Sequence, residues 1–227
     1  MKIALVIFTK NERKNSEVIF LRIPFEKVNS TYVIDGNSND GTVNFWESKK
    51  IKVFGQKYKG VGGAYESAFR NIKDDALVFF HPDGNMDPND IARFVSLLKE
   101  GAQFIIASRT LKGGKNEEDE KIFKYRKWSM QIMAAVINLL FARNISHVSD
   151  LTQGYRALTK KAYAKLDIKI PNPIATDTEQ VIKALKNKIL ITEFPTKEGK
   201  RMYGKTSMPF LKTSWENIKV FTKEVLL

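Results

Sequence analysis

The 227-residue chain contains no cysteine and only two histidines. The lack of cysteine excludes disulfide bonds and thiolate metal sites, and it suits a reducing compartment such as the cytoplasm. No stretch reaches the roughly 18 apolar residues expected of a membrane-spanning helix. The apolar N-terminal run, Met1–Phe8, is too short for a signal peptide. We therefore expect a cytoplasmic protein that is not integral to a membrane.

Acidic residues are too few to balance the basic ones, so the net charge is +13. Residues 111–227 carry +10 of this excess, with 22 Lys and Arg against 12 Asp and Glu. Such a basic field favours an anionic partner, which could be a nucleic acid, a phospholipid surface or a phosphorylated substrate. The aromatic residues lie mainly in apolar runs and form no basic-aromatic platform for stacking bases, so nucleic acid is not expected.

Short apolar runs alternate with helical patterns along the first half of the chain. The expected strands are Ile3–Phe8, Thr31–Ile34, Ile51–Phe54, Ala76–Phe80 and Phe104–Ala107. The expected helices are Glu12 to about Lys27, Gly63 to about Ile72, and Pro88–Lys99. This alternation predicts an α/β fold with a largely parallel central sheet and helices on both faces.

Two segments of the second half have an amphipathic character. Trp128–Ala142 is apolar over much of its circumference, and Phe210–Phe221 has a similar amphipathic pattern. A buried core helix and a helix at a membrane interface both fit this pattern. Basic residues accompany the two segments: Lys124, Arg126, Lys127, Arg143, Lys212 and Lys219.

The strand Ala76–Phe80 ends abruptly in polar, turn-forming residues. His81, Asp83 and Asn85 then place three oxygen or nitrogen donors at alternate positions. The carboxyl ends of strands in an α/β sheet are where ligands bind. A hard cation that bridges two phosphates needs only one or two protein carboxylates. The loop is therefore either a metal and phosphate site or a turn that caps the next helix.

Three other loops suit the same edge of the sheet. Thr9–Glu12 and Asp35–Thr42 follow the first two strands, and a carboxylate such as Asp35 can bind a base or ribose. Asn37–Asp40 also suits a turn that caps a helix. The glycine-rich turn Lys59–Ala64 is similar to a phosphate cradle, but it lacks the spacing of the known phosphate-binding motifs.

In chain order, these segments resemble the family 2 glycosyltransferases with the GT-A fold, most closely the dolichyl-phosphate mannosyltransferase-like branch. The resemblance also includes Ala107–Gly114, Ser149–Leu158 and Arg201–Ser207, and it covers about nine-tenths of the chain. It implies one GT-A domain, in which residues 1–110 bind the nucleotide sugar and residues 111–227 bind the acceptor.

The resemblance implies a divalent metal, Mg²⁺ or Mn²⁺, held principally by Asp83 with help from Asn85. His81 replaces the first acid of the family's Asp-x-Asp motif, so its part in ligation is an open question. Gly36 replaces the second acid of the usual pair on strand two, and Phe8 replaces the usual proline of the first motif.

The resemblance also assigns side chains to the two substrates. The expected nucleotide-sugar residues are Thr9, Asn11, Glu12, Asp35, Asn37, Gly62, Gly63 and Asp83. The expected acceptor-phosphate residues are Arg109, Arg126, Arg156, Arg201 and Lys205, because arginine binds phosphate oxygens in a bidentate manner. The expected catalytic residues are Asp83, Asp150, Arg109, Arg126, Arg201 and Asp177.

The implied reaction transfers a hexose, with inversion, from a nucleotide-diphosphate sugar to a polyprenyl phosphate at the cytoplasmic face of an anionic membrane. GDP-mannose is the favoured donor and UDP-glucose the next. A lipid phosphate is already anionic and needs cations more than a general base. Attachment to the membrane could use the amphipathic helices or a membrane-anchoring protein partner. The alternatives are a soluble family 2 enzyme that glycosylates a sugar hydroxyl, for which Asp177 or Glu179 could be the base, and a non-catalytic basic binding protein.

Overall fold

The computed structural model describes residues 1–120, 125–142, 145–204 and 210–226, without the side chains of Arg126 and Phe210. Lys205, which the sequence analysis places at the acceptor phosphate, lies outside the described residues. Lys124 and Arg143, which flank the first amphipathic segment, also lie outside them.

A seven-stranded sheet forms the centre of the described structure, in the order β3-β2-β1-β4-β6-β5-β7. The neighbouring strands are parallel except for β6, which runs antiparallel to both β4 and β5. The prediction of a largely parallel sheet is therefore confirmed, and β6 and β7 are additions to the five predicted strands. The strands are β1 (Ile3–Thr9), β2 (Ser30–Asp35), β3 (Lys52–Gly55), β4 (Ala76–Phe80), β5 (Phe104–Ser108), β6 (Arg156–Thr159) and β7 (Ile191–Pro195).

Eight α-helices connect and cover the strands in the described part of the chain. They are α1 (Arg13–Phe20), α2 (Thr42–Ser48), α3 (Gly60–Asn71), α4 (Asp90–Lys99), α5 (Tyr125–Ile137), α6 (Lys160–Lys165), α7 (Thr176–Lys186) and α8 (Phe210–Leu226). The predicted extension of the first helix to Lys27 is wrong, because α1 ends at Phe20. Pro24 explains the early end, since it has no N–H to donate and disfavours helical geometry at the preceding residue.

Successive side chains of β1 point to opposite faces of the sheet, and they belong to two separate layers of the core. Ala4, Val6 and Phe8 pack into the cluster that contains α3, α5, α7 and α8. Ile3 and Leu5 point to the opposite face, where α1, α2 and α4 cover the sheet. Both faces of β1 are therefore buried, which explains why its sequence is a continuous apolar run.

The two amphipathic helices, α5 and α8, are each buried on one side only. Ile137 and Val220 pack into the core, whereas Trp128 is 51% exposed and Trp215 is 59% exposed. Leu139, in the wide turn Asn138–Ala142 that continues α5, is 80% exposed. Each helix is thus a core helix on one side with apolar residues exposed on the other, and its position at a membrane interface stays a prediction. Within the described ranges, no helix has the length and apolar character needed to cross a membrane.

Candidate active site

A cavity of about 500 Å³ opens at the carboxyl ends of β1, β2 and β4. Strand order reverses between β1 and β4, and crevices of this kind bind ligands in α/β sheets. We call it the switch-point cavity. Its lining includes Thr9, Lys10, Glu12, Gly36, Asn37, Gln56, Lys57, Tyr58, Lys59, Gly60, His81, Asp83 and Arg201.

A second cavity, of about 300 Å³, adjoins the first on the side of β5 and α5. We call it the Arg109 cavity. Asp83 and Arg201 line both cavities and therefore stand on the boundary between them. The other lining residues include Asn85, Arg109, Glu117, Lys127, Gln131, Asp150, Thr152 and Glu198.

The loop after β4 presents oxygen donors at this boundary. Asp83 Oδ1 accepts a hydrogen bond of 3.1 Å from the backbone N–H of Asn85, which sets the turn. The amide oxygen Asn85 Oδ1 is buried and has no hydrogen-bond partner among the described residues. A buried polar atom without a partner is costly, so its presence beside a cavity calls for a ligand.

The donor set fits a hard divalent cation. Asp83 and Asn85 supply oxygen ligands, which Mg²⁺ and Mn²⁺ prefer. No group of three or more His, Cys, Asp or Glu side chains in the described ranges could hold a metal by itself. A cation bound here would therefore take its remaining ligands from water and from a phosphate-bearing molecule.

His81 occupies the wall of the switch-point cavity. Its ring packs edge-on against Phe8, with the ring centroids 5.6 Å apart. Its Nε2 atom lies 3.4 Å from the point where a Cβ on Gly154 would be. The structure thus gives His81 a packing role as well, and ligation of a metal by His81 stays a prediction.

Arg201 joins the two walls of the crevice. Its Nη1 lies 3.0 Å from Asp83 Oδ2, its Nη2 binds Glu12, and its Nε donates to the carbonyl of Tyr203 at 2.9 Å. Asn15 exchanges two hydrogen bonds with the Tyr203 backbone, of 3.0 and 3.2 Å. The segment 201–203 is therefore fastened across the boundary of the two cavities.

Asp35 lies behind the wall of the switch-point cavity. The residue is 4% exposed. Its Oδ1 accepts hydrogen bonds from the hydroxyls of Thr9 and Ser38, at 2.9 and 2.6 Å, and its Oδ2 accepts one of 2.8 Å from the Ser38 N–H. The carboxylate holds the ends of β1 and β2 together, which leaves little of it for the direct nucleotide contact that the sequence analysis assigns to it.

The other predicted nucleotide residues on β1 and β2 shape the loops. Asn11 and Asn37 both adopt the left-handed backbone conformation, with φ of 55° and 63°. The side-chain oxygen of Asn11 accepts a hydrogen bond of 2.9 Å from the backbone N–H of Asn39, which ties the two loops together. Asn37 is exposed on the lining of the switch-point cavity, where it can reach a ligand.

Close packing explains the two glycines of the predicted phosphate cradle. A Cβ on Gly62 would lie 2.3 Å from the carbonyl oxygen of Asn172, and one on Gly63 would lie 1.9 Å from that of Tyr58. The backbone N–H of Val61 is also taken, because it donates to the carbonyl of Pro173 at 2.9 Å. The start of α3 is thus covered by the chain itself, and Gly62 and Gly63 are buried.

A buried ion-pair cluster forms the floor of the Arg109 cavity. Arg109 binds Asp150 through Nε at 2.8 Å and through Nη2 at 3.0 Å, and its Nη1 binds Glu198 at 2.9 Å. Burial alone would lower the pKa of Arg109, but the two carboxylates raise it. Burial alone would raise the pKa of Asp150, but Arg109 outweighs that effect and lowers it. Both groups are therefore charged and mutually occupied, which makes Asp150 a poor general base.

Arg156 requires a correction. It is expected from the sequence at the acceptor phosphate, but its side chain is fully buried in the structure. Its guanidinium donates to the carbonyls of Gln153 and Asp177 and to the side chain of Gln180, at 2.6 to 3.1 Å. Arg156 holds the start of α7 against β6 and cannot reach a substrate in this arrangement.

Asp177 lies beside this buried arginine at the start of α7. Its Oδ1 accepts a hydrogen bond of 3.0 Å from the Tyr65 hydroxyl and lies 3.3 Å from Arg156 Nη2. Asp177 also lines a small cavity of about 70 Å³ together with Arg109 and Thr152. Burial raises the pKa of Tyr65 well above its usual value, so the phenol stays a hydrogen-bond donor. A role of Asp177 as a base stays a prediction.

Several site residues have no signal in the sequence analysis. Glu198 completes the cluster around Arg109, and Glu193 supports it from below by accepting the backbone N–H groups of Ser149 and Asp150 at 2.9 and 3.2 Å. Burial raises the pKa of Glu193. The position of Glu198 three residues before Arg201 is the one clue that the sequence offered.

Comparisons with known proteins agree with this geometry. A model of the family described as Glycosyl transferase family 2 matches residues 27–166. The dolichol-phosphate mannosyltransferase of Pyrococcus furiosus is 26% identical over 96% of this chain and 64% of its own length. A UDP-N-acetylglucosamine–dolichyl-phosphate N-acetylglucosaminyltransferase of Methanococcus voltae is 25% identical over 86% of this chain and 84% of its own. The chain thus spans just under two thirds of the Pyrococcus relative.

The fold also matches solved structures. Glucosyl-3-phosphoglycerate synthase from Mycobacterium tuberculosis, crystallised with Mn²⁺, UDP-glucose and phosphoglyceric acid, gives a TM-score of 0.73 at 18% identity. The match covers 100% of this chain and 80% of that chain. The expected GT-A fold is therefore confirmed. Because the family match spans more than half of the sequence, the chain belongs to glycosyl transferase family 2.

Proposed function

We propose that this protein is a metal-dependent, inverting hexosyltransferase that uses a nucleotide-diphosphate sugar and a polyprenyl phosphate. The observation that carries the proposal is the position of Asp83 on the boundary between two cavities. A diphosphate held there would place its sugar at the opening into the Arg109 cavity, where the acceptor would bind. The names of the Pyrococcus and Methanococcus relatives both contain dolichol or dolichyl phosphate, which supports a lipid phosphate as the acceptor.

Asp83 and Asn85 would hold the metal ion, Mg²⁺ or Mn²⁺. When bound, such an ion would neutralise the charge that develops on the leaving diphosphate. Arg201 lies at the same point, and its guanidinium has the geometry to bind phosphate oxygens once Asp83 is occupied by the metal. Arg126, on α5, stays a candidate for the acceptor phosphate.

Among the described residues, the carboxylates of Asp150 and Asp177 are both engaged by other side chains, which suits an acceptor that needs no general base. Asp150 is paired with Arg109, and Asp177 accepts from Tyr65 and lies beside Arg156. A phosphate monoester is already anionic near neutral pH, because its second pKa is about 6. Its oxygen can therefore attack the sugar without losing a proton to the enzyme.

The exposed apolar faces of α5 and α8 support action at a membrane surface. Trp128 and Trp215 are more than half exposed, which is unusual for tryptophan in a folded protein. Tryptophan favours the headgroup region of a bilayer, and basic residues favour anionic lipid. The proposed location is therefore the cytoplasmic face of an anionic membrane.

The identity of the donor, its sugar and its base, is the more specific part of the proposal. Resemblance alone ranks GDP-mannose above UDP-glucose, and the relatives act on more than one sugar by name. The chemistry of the switch-point cavity bears on which base the nucleotide carries.

Transfer of label into lipid tests the function. The purified protein would be incubated with a polyprenyl phosphate, Mn²⁺ and radiolabelled GDP-mannose, UDP-glucose or UDP-N-acetylglucosamine. We expect label from one donor in the organic phase, and none with Asp83→Ala or in excess EDTA. Lys200→Ala is the matched control, because Lys200 is 84% exposed and binds only the surface residue Glu120 in the described structure. In a parallel reaction with a sugar as acceptor, label that stays in the aqueous phase, attached to that sugar, would support the hydroxyl-glycosylating alternative instead.

A further inference from the structure

The switch-point cavity has two chemically different ends. It begins at the end of β4 and crosses β1 and β2 to the loop that follows β3. Neighbouring strands are about 4.8 Å apart, so these three steps span roughly 14 Å. If the diphosphate lies at Asp83, as the proposed function requires, the nucleoside lies at the other end, near β2 and β3.

Hydrogen-bond donors dominate the polar groups of the nucleoside end. The polar side chains on its wall are Lys10, Asn37, Gln56, Lys57, Tyr58 and Lys59. Lysine only donates, whereas the amides of Asn and Gln can both donate and accept. The carboxylates on the wall of this cavity, in the described part of the chain, are Glu12 and Asp83, and Arg201 holds both of them at the opposite end.

The carboxylate nearest to the nucleoside end is buried and does not line the cavity. Asp35 ends β2, but it is buried and accepts three hydrogen bonds from Thr9 and Ser38. The next residue, Gly36, has no side chain to offer, and the stem of Lys10 covers it. A Cβ on Gly36 would lie 3.3 Å from Lys10 Cβ. The stem of a cationic side chain thus lies beside the position from which an acid at residue 36 would extend.

Guanine and uracil differ in the hydrogen-bond donors and acceptors that they present to such a wall. The pairing edge of guanine carries two adjacent donor groups, the ring N–H and the amino group, beside one carbonyl. The pairing edge of uracil carries two carbonyl acceptors on either side of one N–H. Once the bound base covers them, donor groups without an acceptor cost more than a typical hydrogen bond contributes, so guanine fits a wall rich in donors poorly.

We infer that the donor substrate is a uridine-diphosphate sugar, with Gln56 and Asn37 as the side chains that read the base. An amide accepts the N–H of uracil through its oxygen and donates to a neighbouring carbonyl through its nitrogen. The lysines supply further donors to the carbonyls, and Tyr58, which is 41% exposed, offers a ring for stacking. This inference reverses the order of donors that the resemblance favoured.

Titration calorimetry with UDP and GDP, each with Mn²⁺, tests the inference on the wild-type protein. We expect UDP to bind at least tenfold more tightly than GDP. Equal affinities, or tighter binding of GDP, would overturn the choice of uracil and would leave the proposed function intact. Failure of the folded protein to bind either nucleotide would overturn the proposed function and the inference together.

Gln56→Glu tests the assigned reading of the base. The change keeps the shape of the side chain and supplies a carboxylate that can accept both donor groups of guanine, so the preference for UDP over GDP should fall at least fivefold. Gln103→Glu is the matched control, because it adds the same charge at an exposed position at the amino end of β5. An unchanged ratio in Gln56→Glu, with the fold verified by circular dichroism, would show that Gln56 does not read the base.

Discussion

The guanidinium of Arg201 lies 3.0 Å from the carboxylate of Asp83, although 118 residues separate them in the chain. The carboxylate proposed to hold a metal ion is thus already neutralised by a cation from the protein. We expect a metal ion bound by Asp83 to compete with Arg201 for this carboxylate. Metal binding would then be coupled to movement of the Arg201 side chain, which would free it for a phosphate.

Replacement of Arg201 should strengthen the binding of metal alone. A partly exposed ion pair contributes about 1 kcal/mol, so Arg201→Ala should tighten Mn²⁺ binding without nucleotide by about fivefold. Turnover should fall in the same variant, because a phosphate ligand is lost. Paramagnetic resonance of free Mn²⁺ measures the first effect, with Lys200→Ala as the control. Unchanged or weaker Mn²⁺ binding would show that the arginine and the metal do not share Asp83.

Loss of the Asp83 carboxylate should abolish metal-dependent nucleotide binding. Asp83→Asn keeps the side-chain shape, and the bond from the Met202 N–H to the Asp83 carbonyl is unaffected. We expect Mn²⁺-dependent UDP binding to weaken by more than about 100-fold, since even indirect supports of a metal site contribute 10- to 100-fold. Asp87→Asn, four residues further along the loop, is the control for titration calorimetry. Equal losses in both variants would point to a general disturbance of the loop.

The buried cluster around Arg109 should make the fold sensitive to acid. Because the pKa of Asp150 is lowered from 3.8, its contribution to stability is complete above that value and is lost as the pH falls through the lower folded-state pKa. Asp150→Asn should cost about 3 kcal/mol of unfolding free energy at pH 7, because it removes one partner of a buried charge. Urea unfolding should show this difference shrinking below about pH 4. A difference that is constant down to pH 3 would contradict the assigned pairing.

The exposed apolar faces of α5 and α8 should control binding to membranes. The double variant Trp128→Ser and Trp215→Ser should reduce sedimentation with anionic vesicles severalfold and leave the thermal midpoint unchanged, because both side chains are more than half exposed. Binding of the wild type should weaken with salt, since charges are screened over about 8 Å at physiological ionic strength. Leu21→Ser is the control, as Leu21 is 85% exposed at the end of α1. Equal binding of wild type and double variant would assign these faces to another partner.

Local patterns were sufficient to predict the strands of the first half and the loops at their carboxyl ends. Apolar runs that stop at polar turn residues mark such strand ends, and a parallel sheet brings those ends to one edge. The same reasoning located Asp83 and Asn85 beside a cavity. What it could not supply was the pairing of charges, because the carboxylate partners of Arg109 and Arg201 lie 41 to 189 residues away in the sequence.

Arg156 illustrates this limit. An arginine within a polar motif is typical of a phosphate ligand. The burial of Arg156, however, depends on β6, a strand of four residues whose sequence has no distinct pattern. Asp35 is a related case, because its carboxylate accepts hydrogen bonds from the loops around it, and its contact with the nucleotide stays a prediction. Both side chains satisfy polar groups of the surrounding chain, and the sequence does not distinguish that role from ligand binding.

The antiparallel strand β6 has a consequence for how the protein is made. It lies in the sheet between β4 and β5 and forms backbone hydrogen bonds with both. Both of these strands precede it in the chain by about 50 residues or more. Until the ribosome has released residue 159, β4 and β5 keep open edges that can pair with other chains. Fragments that stop near residue 150 should therefore aggregate during synthesis, and the protein should complete its folding only late in translation.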